Sequence, residues 1–397
     1  MKRFKKVGIV SAVLVMALSL AACGGGKDTS KSGSSDEKTL TVSVDAGYKD
    51  YVNKIKGDFE KDNDVKVKVV EKDMFETLEA LPLDGPAGTA PDVMMSAFDR
   101  IGSLGQQGHL AEVKLGNKDD YDEKDQKQVT IDDKIYGAPA IIETLVLYYN
   151  KDLLDKAPAT FKDLETLSKD SRFAGLLAGY GGYVFGDEGT NPKDIGLNNK
   201  GSVEGITYAT KWFQDVWPKG MQDNKSADDF IQDQFVKGKA AAILGGPWSA
   251  ANYKEAKINY GVAKIPTLNN GKEYSPFAGG KGWVVSNYSK NKDVAQKWLD
   301  YVTNQKNQET LYDMTNEVPA NLKARDTAKS KNDELTNAVI EQYKNAQPMP
   351  NIPEMSEVWT GAENLMFDAA SGSKTPQQSA DDAVKVIEDN VTQKYTK

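Results

Sequence analysis

Six tryptophans and a spread of carboxylates are the side chains of this 397-residue chain best suited to holding a ligand. Trp248 follows Gly245, Gly246 and Pro247 directly, and Trp359 follows the segment MPNIPEMSEV. Both stand where predicted elements end, the positions at which ligand contacts concentrate. Trp212 and Trp298 fall on the apolar faces of predicted helices and Trp217 at a helix end, so the core is their default place. Trp283 leads a strand and fits either role. Glu143 stands between two apolar runs, where an unpaired buried carboxylate is expensive, which favours a polar cleft over a structural carboxylate. Indole and phenol rings stack on apolar C–H faces, while carboxylates and arginine grip hydroxyls through charge-assisted hydrogen bonds. A sugar-binding cleft needs both classes.

Other chemistry is thinly provided. His109 is the only histidine and Cys23 the only cysteine, which argues against a His-based triad or a His-rich metal site and leaves no internal disulfide. No Gly-x-Ser-x-Gly or Walker sequence occurs, and GYGGYVFG (179–186) breaks the Gly-x-Gly-x-x-Gly spacing at Val184. The acid-rich KDDYDEKDQKQ (118–128) lacks calcium-loop spacing and is expected to be a solvated surface. No metal and no cofactor is expected. The net charge of −8, with no basic cluster in the mature chain, argues against nucleic acid as a partner. A glycosidase is the alternative from another class. It would need two carboxylates about 5 to 10 Å apart across a glycosidic bond, and Asp99 with Glu143 is the pair to test.

The elements that must position these residues begin after a leader. Lys2, Arg3, Lys5 and Lys6 precede an apolar run that ends in small residues, the anatomy of a secretory signal over residues 1–22. Its removal takes away four positive charges and no negative ones, moving the formal charge from −8 to −12. The following GGGKDTSKSGSSDEK cannot bury a core, and its fifteen residues form a tether with a reach of about 20 Å. The roughly 360 residues that remain exceed one ordinary core, so two domains are expected.

LTVSV (40–44) and VKVKVV (65–70) alternate as strands around a helical stripe of Tyr48, Tyr51, Val52, Ile55 and Phe59. Strand, helix, strand is a βαβ unit with a parallel sheet. PDVMMS (91–96), two runs flanking Glu143 within 134–154, AAAILGGPW (240–248), INYGVAKIP (258–266) and GWVVS (282–286) supply further strands. After the runs flanking Glu143 comes a helix with Val203, Ile206, Trp212, Phe213 and Val216 on one face, and the last hundred residues are mainly helical, closing with a helix opened by Thr375 and Pro376. The class is α/β.

Several segments, in order, resemble the maltose/maltodextrin-binding proteins of ABC importers: TAPDVMMSAFDRIGSLGQQGHLAEV, AIIETLVLYYNKDLL, ILGGPWSAANY, INYGVAKIPTLNNGKEYSPFAGG and MPNIPEMSEVW. AFDR, GGPW and MPNIPEMS followed by the tryptophan are specific to that group. The residues before Cys23, Leu20-Ala21-Ala22, resemble the bacterial lipobox, in which the cysteine is acylated, as with palmitate, and becomes the first mature residue. The resemblance implies a two-lobed periplasmic-binding-protein-like fold (type II), residues 23–38 as tether, 39–141 plus 283–328 as one lobe, and 142–282 plus 329–397 as the other. It implies a monomer lipid-anchored on the extracytoplasmic face of the cell membrane, which closes on maltodextrin and delivers it to the importer's transmembrane subunits without catalysis. A sugar sensor that keeps the fold without transport is a further alternative.

By motif position, Asp99 and Arg100 would bind hydroxyls from the first lobe, with Asp45 nearby. Glu143 would accept hydroxyls at the hinge strand, and Trp248 and Trp359 would be stacking platforms on the second lobe. Simpler roles stand beside these: Arg100 as a salt bridge to Asp92 or Asp99, Trp248 as a turn plug, and Tyr48 as an aromatic near Asp45 or a core residue. Where the enterobacterial members carry a tryptophan just upstream of A-x-D-R, this chain has Ser96. Where an arginine is expected four residues after the last tryptophan, it has Glu363, which inverts the charge in the sugar-binding set. Relatives also carry a strand and a loop, bearing a carboxylate and stacking rings, between segments like SRFA and GLLAGYGGYVF; here Ala174 runs straight into Gly175. Weakened or altered maltodextrin binding is the expectation.

Overall fold

The computed structural model describes residues 38–116, 118–167, 178–216 and 224–395. Cys23, Trp217 and the join at Ala174 and Gly175 lie outside them. The opening pattern folds as its periodicity dictates. Strand β1 (Thr39–Val44) is followed by helix α1 (Ala46–Asn63), which buries all five residues of its stripe, and by β2 (Lys66–Glu71). β1 pairs in parallel with β2 on one side and with β3 (Val93–Ala97) on the other. Between β2 and β3 lies α2 (Met74–Ala87), capped by Asp73, whose carboxylate accepts from the Glu76 N–H.

The first sheet is completed by strands from far along the chain. Its order is β12 (Gln347–Pro348), β11 (Phe277–Val285), β3, β1, β2, with β6 (Ala138–Glu143) on the other edge of β11. β11 runs antiparallel to both β3 and β6. It begins five residues before the GWVVS run, because the glycines of FAGG let the backbone pass close to its neighbours. At Gly280 (φ 153°) a Cβ would lie 2.1 Å from the Ile141 carbonyl oxygen.

From Glu143 the chain takes two residues, Thr144 and Leu145, to reach β7 (Val146–Asn150) in a second sheet, where β7 runs antiparallel between β10 (Tyr260–Ala263) and β9 (Ala242–Gly245). The Thr144 hydroxyl donates to the Phe277 carbonyl at 2.9 Å, tying this crossing to the start of β11. The expected lobe limits at 141/142 and 282/283 fall inside β6 and β11; pairing in the first sheet continues through Glu143 and resumes by Gly279. The Glu334–Asn345 helix rests on β6 as well as on β7 and β10, so it spans both sheets.

Trp283 and Trp298 are fully enclosed, and Phe59 meets Trp298 edge-on at 5.0 Å. A second cluster, with Phe161, Tyr274 and Ile387, lies under the C-terminal helices, the last of which is Pro376–Tyr395.

One expectation is corrected. Within KDDYDEKDQKQ, residues Glu123–Gln128 form a short helix, α4, and Asp125 is 0 % exposed. Its carboxylate accepts from Arg325 Nη2 at 2.8 Å and from the Tyr343 hydroxyl at 2.6 Å. A charge run read from composition hid one inward-facing carboxylate, tolerable there because a guanidinium and a phenol replace its water.

Candidate functional site

Each candidate side chain is delivered by a different element. β3 runs directly into α3 (Phe98–Gln106), so Asp99 and Arg100 stand in that helix's first turn. Arg100 Nε lies 3.6 Å from Asp99 Oδ2, and its guanidinium sits over the Phe75 ring, 5.6 Å from the centroid. Burial pushes the Asp99 carboxyl above the usual carboxylate range, with Arg100 pulling it back.

Glu143 closes β6. Its Oε1 accepts from Lys281 Nζ at 2.7 Å, and the same ammonium donates to Glu317 Oε1 and to the Tyr48 hydroxyl, each at 2.9 Å. Burial pushes the Glu143 carboxyl up, and Lys281 opposes it. Burial also works against the Lys281 ammonium, but the two carboxylates beside it hold its pKa well above the usual lysine range, so it stays charged.

Trp248 sits in a single turn, Pro247–Ser249, directly after β9 and Gly246. A Cβ at Gly246 would lie 2.2 Å from the indole, so the ring folds back over its own backbone only because that residue is glycine. Trp359 lies on the short Met355–Gly361 helix, edge-on to Phe277 with centroids 6.4 Å apart. Both indoles are half open to solvent, Trp248 at 53 % and Trp359 at 50 %, which is not how a core tryptophan behaves.

Asp99, Glu143, Trp248 and Trp359 line one cavity of about 380 Å³ together with Phe277 and Gly280. Four segments separated by as many as 260 residues therefore meet at one mostly apolar, aromatic surface that carries two carboxylates. The remaining candidates lie elsewhere. Asp45, at the end of β1, is half-buried and its Oδ1 accepts from the Met74 N–H at 2.6 Å; burial raises its pKa. Tyr48 is only 5 % exposed, so it takes the core role that its helical stripe allowed, and the idea that its ring serves as a cleft aromatic is corrected. Glu363 is exposed and borders a separate pocket of about 190 Å³ beside Trp359.

Sequence reasoning passed over Phe277, which lines the cavity, and Lys281, which stands behind it and holds Glu143. The signal for Lys281 was available: a lone cation in FAGGKGWVV, beside a tryptophan, must find anionic partners if that strand is buried. Phe277 carried no comparable mark. The arrangement suits hydroxyl recognition, with carboxylates as acceptors and open indoles as stacking surfaces.

The sequence pattern of the family described as bacterial extracellular solute-binding proteins matches residues 54–338. The chain is 60 % identical to the maltodextrin-binding protein MdxE of Bacillus subtilis, with 99 % of each chain covered. It is 49 % identical to a maltooligosaccharide ABC transporter solute-binding lipoprotein of Streptococcus pneumoniae, again with 99 % of each covered. A solved structure of the maltose-binding periplasmic protein MalE of Listeria monocytogenes, in complex with maltose, matches with a TM-score of 0.87 at 94 % identity, covering 91 % of this chain and 100 % of that one. The two sequence alignments run over 415 and 420 positions against 397 residues, so at least 18 and 23 positions have no residue of this chain opposite them. That surplus accords with a segment missing from this chain.

Proposed function

The chain belongs to the bacterial extracellular solute-binding proteins, and from that premise we propose that it captures maltose and maltodextrins in the cleft between its two sheets. It then hands them to the transmembrane subunits of an ABC importer, without catalysis. The observation that carries this reading is the meeting of Asp99, Glu143, Trp248 and Trp359 around one cavity of about 380 Å³. In it the indoles stack on the pyranose faces and Asp99 and Glu143 accept hydrogen bonds from hydroxyls, while Arg100 donates from the neighbouring cavity that Asp99 and Trp359 also border. Asp45 and Tyr48 act from behind the wall as supports, Tyr48 through Lys281, and Glu363 meets the sugar's outer end.

The lobes on either side are 39–141 plus 283–328 and 142–282 plus 329–397, closing about the strands that cross between the sheets. Cys23 carries the lipid that holds a monomer on the outer face of the membrane.

Tryptophan fluorescence tests the reading. Titration with maltotriose and longer dextrins gives a saturable change, and Trp359→Ala lowers affinity by about tenfold, the loss of a well-placed aromatic platform. Unchanged affinity in both Trp359→Ala and Trp248→Ala contradicts the proposed cleft. Incubation with maltotetraose leaves it intact; release of glucose or maltose overturns capture without catalysis.

A further inference from the structure

We propose that Glu317 is a positioning residue for sugar capture: from behind the cavity it shares Lys281 with Glu143, so that the ammonium fixes one oxygen of Glu143 and leaves the other to a sugar hydroxyl. This rests on the reading of function above. The Gln305–Thr315 helix stops at Asn316, whose left-handed backbone (φ 59°) turns the chain, and the Glu317 N–H donates to the Thr315 hydroxyl at 3.2 Å. The next residues run along the edge of β6 that β11 leaves open. There the Ile142 N–H donates to the Val318 carbonyl and the Ala320 N–H to the Ala140 carbonyl, both at 2.9 Å. Pro319, with no N–H to offer, suits such an edge. Glu317 is thereby delivered to the same ammonium as Glu143, the last residue of β6.

An ammonium that holds a single glutamate can grip both of its oxygens, as Lys151 does with Glu334 (2.9 and 3.0 Å) and Lys394 with Glu357 (2.9 and 2.8 Å). Lys281 is held otherwise. Its three bonds go to Glu143 Oε1, Glu317 Oε1 and the Tyr48 hydroxyl. Among the described residues no group donates to Glu143 Oε2, and Glu143 lines the cavity whereas Lys281 and Glu317 do not. One oxygen is anchored and the other is left as an acceptor for the ligand. Lys281 and Glu143 alone would already make a neutral pair, so a second carboxylate answers no need of the fold. Glu317 Oε2 is enclosed and has no hydrogen-bond partner among the described residues, which opposes folding. What offsets it is the freedom of Glu143 Oε2.

The groups facing Glu143 are Lys281 from β11, Glu317 from the segment after the Gln305–Thr315 helix, Tyr48 from α1 by way of Lys281, and Asp99 on the same cavity; Asp45 interacts with both Lys281 and Glu317. Burial pushes the Glu143 carboxyl up, Lys281 pulls it down and Glu317 pushes it up again. Removing the charge of Glu317 therefore lets Glu143 ionise at a lower pH.

Calorimetric titration with maltotriose across pH, on the protein and its Glu317→Gln, Glu317→Ala and Glu317→Asp variants, tests this. Glu317→Gln keeps an acceptor for Lys281 without the charge, and Glu317→Ala removes both. In each, the fall in affinity on acidification moves to lower pH, by about half to one pH unit, opposite to its direction in Lys281→Met. Glu317→Ala also weakens binding at neutral pH by about three- to tenfold, as the ammonium takes both oxygens of Glu143 and one hydroxyl bond is lost. Glu317→Asp keeps the charge and holds the fall near its original pH. Either charge-removing variant that melts as a folded protein reads the shift. A fall that stays in place, with or without weaker binding, overturns the role of Glu317 and leaves capture standing. Failure of the unmodified protein to bind maltotriose overturns the proposed function and this role together.

Discussion

At the scale of single residues, Lys281 decides what Glu143 can do. A carboxylate almost wholly enclosed at the end of β6 has lost most of its water, and its charge is supported by an ammonium 2.7 Å away. Lys281→Met leaves Glu143 and Glu317 facing each other without a cation, and we expect it to destabilise the fold by about 3 kcal/mol, the usual cost of removing one partner of a buried pair. Chemical denaturation checks that. The sign of the pH effect follows from the same geometry. Glu143 and Asp99 have folded pKa values raised by burial, so they take up protons at a higher pH than in the unfolded chain. Their contribution to stability is therefore present at low pH and lost as pH rises through the raised values. Sugar affinity runs the other way, because only the ionised carboxylates accept two hydroxyls freely. Affinity should fall on acidification at a pH above the ordinary carboxylate range of about 4, and in Lys281→Met the fall should begin at a higher pH still. An unshifted onset in the variant contradicts the role given to Lys281.

At the scale of elements, the periodic segments were legible and the inward charges were not. The α1 stripe, the two runs around Glu143 and the strand before Gly-Gly-Pro-Trp all form as their patterns require, since burial of one face is what a 3.6- or 2-residue period encodes. The four residues around the main cavity were also legible, through motif resemblance and their places at element ends. Asp125 was not, because nothing in an acid-rich run marks the one carboxylate whose partners, Arg325 and Tyr343, lie about two hundred residues away. Its partners sit on the Leu322–Ser330 and Glu334–Asn345 helices, so it fastens α4 to both. Asp125→Ala leaves Arg325 without its anion and should cost about 3 to 5 kcal/mol in denaturation. Sugar affinity, measured at temperatures where the variant is folded, should weaken as well, because Gln128 lines the cavity and donates to the same Tyr343 hydroxyl at 3.2 Å. Gly246→Ala separates the two effects. The exposed indole can swing away from the new methyl, so stability shifts by no more than about 0.5 kcal/mol. Loss of the Trp248 platform should still lower maltotriose affinity by about three- to tenfold, and unchanged affinity in a calorimeter contradicts that platform.

At the scale of the molecule, the short crossing from β6 to β7 and one helix join the two sheets around the cleft. β11 carries Phe277 at the cavity and Lys281 behind it, while pairing with β3 and β6, and the Glu334–Asn345 helix rests on both sheets. Such crossings let two bodies move about a few backbone positions, the arrangement by which hinged binding proteins close on a ligand. The pairing partners of β11 were hidden in the sequence, because register between strands far apart in the chain leaves no local trace. Capture of α-linked glucose oligomers is the proposed function, and because the alignment with MdxE runs over at least 18 positions that this chain does not fill, we expect a reduced affinity. Calorimetric titration of the purified protein with maltotriose tests it most directly. We predict saturable one-to-one binding with a Kd of about 10 μM to 1 mM, roughly −7 to −4 kcal/mol. Absence of saturable heat contradicts capture, and a Kd below about 1 μM, tighter than about −8 kcal/mol, contradicts the proposed loss of part of the site.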